Sequence, residues 1–199
     1  MTMTVRTRVF VDYWNFQLNW NERARESRCD WLALPRSLAQ AASRVLNNGS
    51  LSYDGTHIYA SVDPCNDNLI AWLSTFLDRQ PGFAVTTVPM TRRHRPIRCT
   101  SCGHAVTSCP ECDESYAPAA AKGLSTRMVV DLLRLCGRGS CEVPIVVSSD
   151  TELVPALEAL NADGVKVLHA GWRDTAPDLA RAAWASVELD DLMGDLVRT

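Results

Sequence analysis

The chain has 199 residues, 20 Lys and Arg against 23 Asp and Glu for a net charge of −3, 46% hydrophobic residues and 8 cysteines. At this length folding buries roughly 70% of the unfolded surface, enough for one core, and this composition excludes disorder and collagen-like structure. No apolar stretch nears the roughly 18 residues that cross a bilayer, and Val9-Phe10-Val11 is cut short by Asp12, so neither a span nor a signal peptide is expected.

The predicted elements alternate. Val5 to Val11 reads as a buried strand ending at Asp12, followed by a polar segment. Pro35 suits the first turn of a helix through Leu46, which Asn48-Gly49 stops. His57 to Val62 is a second strand, Asp67 to Leu77 an amphipathic helix, and Phe83 to Val88 a third strand. Residues 91–121 break the rhythm with arginines, cysteines and a Pro/Ala segment, and read as an insertion in a domain that otherwise spans 1–199. A helix from about Leu124 to Leu135 then leads to a strand over Val143 to Val147, a helix from Thr151 to Leu160, a fifth strand over Val165 to Leu168, and a helix from Pro177 to Trp184. An acidic segment closes the chain. Apolar strands alternating with helices predict an α/β fold, a doubly wound, mainly parallel sheet of about five strands covered on both faces.

In such sheets ligands bind beyond the carboxyl ends of the strands, where strand order reverses. Asp12 closes the first strand and Asp150 follows Val146-Val147-Ser148-Ser149. On neighbouring strands about 4.8 Å apart the two carboxylates can share one cation. Asp131, flanked by apolar residues in Met128-Val129-Val130-Asp131-Leu132-Leu133, is a third candidate, and Glu152 a fourth. A carboxylate beside a core face needs a proton or a positive partner, and an arginine serves as well as a metal. Ser149 with Glu152 also matches a capping box, so Asp150 and Glu152 have a plain helix-starting role open to them.

Here the chain resembles the NYN family of ribonuclease-like domains in the PIN-like nuclease superfamily. Val9-Phe10-Val11-Asp12-Tyr13-Trp14-Asn15-Phe16 resembles the family's first strand with its D-x-x-N signature. Lys122-Gly123-Leu124-Ser125 with the helix through Asp131-Leu132-Leu133 is similar to a K-G-x-D helix, and Val146-Val147-Ser148-Ser149-Asp150-Thr151-Glu152-Leu153-Val154-Pro155 to S-x-D-x-D-F-x-P. Two positions depart from the pattern: Ser125 stands where the second motif has its acid, and Glu152 replaces the second Asp of the third.

The resemblance implies a Mg²⁺ or Mn²⁺ site and hydrolysis of RNA phosphodiester bonds. Carboxylates that hold divalent ions lower the pKa of a water, orient the phosphate and stabilise the charge of an in-line displacement. Asp12 and Asp150 are the main expected ligands, with Asp131 and Glu152 completing the site. Asn15 is expected to hydrogen-bond a ligand carboxylate or the substrate, and Lys122 to contact phosphate.

Cys99-Thr100-Ser101-Cys102 and Cys109-Pro110-Glu111-Cys112 form C-x2-C-x6-C-x2-C, four thiols with the spacing of a structural Zn²⁺ site. That reading, rather than disulfides, points to a reducing cytoplasm. Cys29, Cys65, Cys136 and Cys141 lack such spacing and read as buried or free thiols. Before the cluster, Arg92, Arg93, His94, Arg95 and Arg98 crowd into seven positions and suit the phosphates of RNA or single-stranded DNA. Tyr13 and Trp14 are placed to stack on bases, whereas Trp20, Trp31, Trp72, Trp172 and Trp184 read as packing residues.

Two functions remain in view. One is a metal-dependent endoribonuclease whose zinc-bearing insertion grips RNA or a protein partner. The other is a PIN-like module that binds nucleic acid through the arginine-rich insertion without cutting it, because Ser125 cannot replace a carboxylate.

Overall fold

The computed structural model describes residues 5–46, 51–92, 97–114, 119–120 and 122–198. Six parallel strands form one sheet: β1 (Val5–Asp12), β2 (Leu51–Val62), β3 (Phe83–Pro89), β4 (Val143–Val147), β5 (Leu168–Gly171) and β6 (Ala185–Glu188). Their spatial order is β6-β5-β4-β1-β2-β3. The chain builds outward from β1 through β2 to β3, then crosses back to β4 on the other flank of β1 and builds outward again. Strand order therefore reverses between β1 and β4, whose register pairs Val11 with Val147. This is the doubly wound arrangement expected from the sequence, with one strand more than anticipated.

Side-chain alternation assigns the two faces. Val9 and Val11 of β1 pack with α1 (Tyr13–Ala24), α2 (Leu34–Leu46), the helical segment after β2 and the C-terminal residues Leu189, Leu192 and Leu196. Phe10 of the same strand faces the other way. It packs with Tyr59, Val146 and the inner sides of α4 (Leu124–Gly137), α5 (Val154–Ala162) and α6 (Pro177–Ala182), through Met128, Leu132, Leu157 and Leu179. All five residues of β4 are buried because it is covered on both sides, which removes any polar alternation from its sequence.

Three elements differ from the sequence reading. The segment after β1 is helix α1, not a polar loop. Tyr13, Phe16 and Trp20 recur on its buried side and the Asp12 carboxylate caps it, accepting from Asn15 N at 3.2 Å. The fifth strand lies three residues later than expected, because Gly164 and Val165 form the turn that closes α5. The acidic tail supplies β6, a 3-10 turn over Leu189–Leu192 that buries both of its leucines, and the short helix α7 (Met193–Leu196), which buries Leu196. After β2, α3 (Asp67–Ala71) runs into a wider π-helical segment over Trp72–Leu77.

The insertion stays apart from the sheet. Its stem is a two-residue antiparallel pairing of Thr91–Arg92 with Ala119–Ala120, and Ile97–Arg98 pairs with Ala105–Val106 in a small hairpin. Arg93, His94 and Arg95 lie outside the described residues. Among the described residues, no helix is long and apolar enough to cross a membrane.

Candidate active site

The reversal of strand order places the end of β1 beside the end of β4, and the polar residues there are joined by hydrogen bonds. Asp12 is 9% exposed. Its carboxylate accepts from the Asn15 amide nitrogen at 2.6 Å, in addition to the backbone bond that caps α1. Ser149, beyond β4, donates to Asn15 Oδ1, so the first turn of α1 is tied to the loop after the neighbouring strand.

Asp150 is held from two sides. Glu152 N donates to Oδ1 at 3.0 Å, which makes Asp150 the cap of the turn Thr151–Leu153, and Ser125 Oγ donates to Oδ2 at 2.5 Å. Ser125 reaches it from the first turn of α4, which begins at Gly123 with φ +86°, a left-handed conformation suited to glycine. The hydroxyl at the position of the absent acid is thus engaged with a carboxylate of the site. Ser148 Oγ accepts from Asp150 N at 3.1 Å, and the Ser148 carbonyl accepts from His169 Nε2 at 2.9 Å. A carbonyl can only accept, so Nε2 carries the proton. Burial lowers the His169 pKa and favours the neutral ring. Gly171 makes room for it, since a Cβ there would lie 2.4 Å from the imidazole.

Electrostatically the site is strained in the direction a cation relieves. Burial pushes the Asp12 carboxyl above its ordinary value and the Asp150 charge adds to the shift, while the hydrogen bonds from Asn15 oppose it. Two carboxylates with amide and hydroxyl neighbours suit Mg²⁺, which commonly takes one or two carboxylates and keeps several waters. The donor set therefore fits a divalent ion of that kind. Among the described residues, no three His, Cys, Asp or Glu side chains are grouped as a metal-holding set.

Asp131 does not join this pair. It lies six residues, about 9 Å of helix rise, beyond Ser125 on α4. Its carboxylate accepts from Tyr59 Oη at 3.0 Å and pairs with Arg134 at 2.9 Å. The expectation of three converging acids is thus corrected to two: the positive partner that Asp131 needs beside the core is an arginine one turn away. Glu152 is exposed and gives the site its backbone N–H. Lys122 is exposed immediately before α4, at the same end of the sheet.

The insertion shows a repeated local geometry. Cys99 N donates to His104 O and Gly103 N to Cys99 O, at 2.8 and 2.9 Å. Ten residues on, Cys109 N donates to Glu114 O and Asp113 N to Cys109 O, both at 2.8 Å. Gly103 and Asp113, each following the second cysteine of its pair, both take positive φ, +73° and +56°. In the first turn the N–H groups of Cys102 and Ser101 point to the Cys99 sulfur and lower its pKa. The two C-x2-C segments therefore adopt the same turn, although the four thiols are not gathered as a metal set. Arg98 is exposed beside them, bonding Gly103 O at 3.4 Å.

The sequence reading missed the hydroxyls. Ser125, Ser148 and Ser149 organise the site, and the signal for them was their position in the very motifs quoted for the acids. It also took Trp31 and Trp72 as packing residues. Trp31 is buried, but Trp72 is only half-buried and lines an open cleft.

A family model described as NYN domain matches residues 6–190. A crystal structure of a protein of unknown function from Vibrio parahaemolyticus is similar over 100% of this chain and 99% of that one, at 17% identity and a TM-score of 0.59, a likeness of fold. No curated protein matches the chain.

Proposed function

The chain belongs to the NYN domain family, a PIN-like nuclease family, and on that premise we propose that it is a metal-dependent endoribonuclease acting at Asp12 and Asp150. The observation that carries this reading is the placement of two electrostatically coupled carboxylates at the ends of β1 and β4, where strand order reverses. Mg²⁺ or Mn²⁺ held by Asp12 and Asp150 would neutralise the phosphate and lower the pKa of the attacking water. The protein's own part is orientation. Asn15 fixes the Asp12 carboxylate, Ser149 fixes Asn15, and Ser125 with the Glu152 backbone fixes Asp150. Lys122 supplies an exposed positive charge for a substrate phosphate near the start of α4.

A specific observation favours a second reading, a nucleic-acid-binding module with little or no cleavage: the α4 position that holds an acid in the resembled motif carries the Ser125 hydroxyl. The experiment that separates the two incubates the protein with labelled single-stranded and structured RNA, in Mg²⁺, Mn²⁺ or EDTA, beside Asp12→Asn. Cleavage that requires both the metal and Asp12 establishes the nuclease. Retained binding without cleavage establishes the module.

The insertion belongs to the same reading as a Zn²⁺-binding element formed by Cys99, Cys102, Cys109 and Cys112 that contacts RNA or a protein partner. Its support is the repeated turn, which presents each thiol pair in the same way from a segment without a core of its own. Metal analysis of protein purified in Zn²⁺ tests it: one tightly held ion per chain, lost in Cys99→Ser/Cys109→Ser, is expected, and its absence overturns the assignment.

A further inference from the structure

A cleft of about 770 Å³ opens beside α1, within the roughly 300–1,000 Å³ range of ligand sites. Its walls are aromatic. Trp72 and Phe76, four residues apart on the π-helical segment, stack with ring centroids 6.1 Å apart at 25°. Tyr13 stacks on Trp31 at 5.3 Å and 21°, and Trp14 is anchored by its indole N–H to Ser61 O at 2.6 Å. Tyr13 and Trp31 belong to the core, whereas Phe76 remains 38% exposed and Trp14 and Trp72 lie half-buried at the core's edge.

Around the aromatics stand Arg25, Arg28 and Arg198, all exposed and, among the described residues, without a carboxylate partner. Two acids line the cleft, Glu26 and Asp30, the latter also accepting from the backbone N–H groups of Leu32 and Ala33, so the three guanidinium groups outnumber the carboxylates by one. Arg25 ends α1 with φ +50°, a left-handed conformation that is strained for a side chain of this size.

The cleft shares one end of the sheet with the candidate active site, although none of Asp12, Asn15, Ser125 and Asp150 lines it. Tyr13 and Trp14 lie between Asp12, which caps α1, and Asn15, which holds it. The opposite wall begins at Asn66, just past the carboxyl end of β2, the same end of the sheet as Asp12. Exposed aromatic faces next to unpaired arginines match single-stranded nucleic acid, whose bases stack on the rings while guanidinium groups meet the phosphates. A duplex keeps its bases stacked on one another and cannot offer them to Trp72 and Phe76.

We propose that this aromatic and arginine-lined cleft is a separate binding site for unpaired nucleotides of an RNA strand. The assignment rests on the nuclease reading for its substrate, yet binding can be measured without catalysis. Fluorescence anisotropy of a labelled single-stranded oligoribonucleotide and of the same sequence as a duplex is recorded in EDTA, for the unaltered protein, Trp72→Ala and Phe76→Ala. Circular dichroism monitors folding, and Phe76→Ala, at an exposed ring, guards against a failure to fold.

The single strand is expected to bind more tightly than the duplex, and each aromatic variant to weaken it about tenfold. Quenching of tryptophan fluorescence by the single strand, reduced in Trp72→Ala, is expected alongside. Equal affinity of both folded aromatic variants overturns the cleft assignment, as does absence of binding. So does a concentration-dependent dimer abolished by Trp72→Ala, which would assign the patch to a second copy of the chain. The two readings fail separately: unchanged affinity in the aromatic variants with metal-dependent cleavage intact removes only the cleft, whereas cleft binding without cleavage removes only the nuclease.

Discussion

The Ser125 hydroxyl donates to Asp150 Oδ2 at 2.5 Å, joining the first turn of α4 to the loop that leaves β4. The contact puts a neutral donor where the resembled motif has an acid, so the site carries two negative side chains close together instead of three.

Ser125→Asp is therefore expected to raise the affinity for Mn²⁺ on the order of tenfold, through the added ligand charge. Without metal it should lower thermal stability, since a third carboxylate joins a pair that already repels. Isothermal titration with Mn²⁺ and thermal melts with and without metal check both parts. A variant with unchanged metal affinity would show that the hydroxyl does not stand at the ligand position.

Asn15 acts on Asp12 by orientation. Asn15→Ala removes the 2.6 Å amide bond and the link to Ser149, and is expected to cost about 10- to 100-fold in metal affinity or cleavage rate, with the fold retained. Comparing the metal concentration for half-maximal cleavage with the rate at saturating metal distinguishes lost binding from lost alignment.

The raised Asp12 pKa makes a signed prediction. The folded state holds this proton more tightly than the unfolded chain, so without metal the group opposes folding above its folded pKa. That opposition is relieved as pH falls towards the ordinary carboxylate value of 3.8. Asp150→Asn removes the neighbouring charge and should move the Asp12 titration downward, yet leave it above the ordinary value because burial is the larger cause. Carboxyl NMR titration of the metal-free protein reads the shift.

Asp131→Ala separates structure from catalysis. It leaves the Tyr59 hydroxyl without its acceptor and Arg134 without its partner, so a loss of about 1–2 kcal/mol in urea denaturation is expected. The cleavage rate per folded molecule should stay within about threefold, since residues outside the reacting constellation alter activity mainly through stability. A loss as large as that of Asp12→Asn would return Asp131 to the site.

The alternation of strands with helices was legible because the carboxyl ends of β1 and β2, together with β3 and β4, are short runs rich in apolar and β-branched residues, and the assumption that the first and fourth strands are neighbours is what placed Asp12 near Asp150. Helix α1 was hidden because Asn15, Gln17, Asn19, Asn21 and Glu22 interrupt its apolar residues and also suit a loop, while the residue that starts it, Asp12, already carried a functional interpretation. Asp131 misled for a related reason. An acid beside core residues requires a partner, but sequence does not say whether that partner is a cation from solvent or the Arg134 guanidinium three residues on. The cleft was not legible at all, since Trp31 and Trp72 are 41 positions apart and meet only when the segment after β2 folds against α1.

The two-residue pairing of Thr91–Arg92 with Ala119–Ala120 brings the departing and returning strands of the insertion side by side. Such a neck works as a socket. What is plugged into it can lengthen or shorten while the sheet beneath keeps its register, because the two ends of the segment stay fixed side by side.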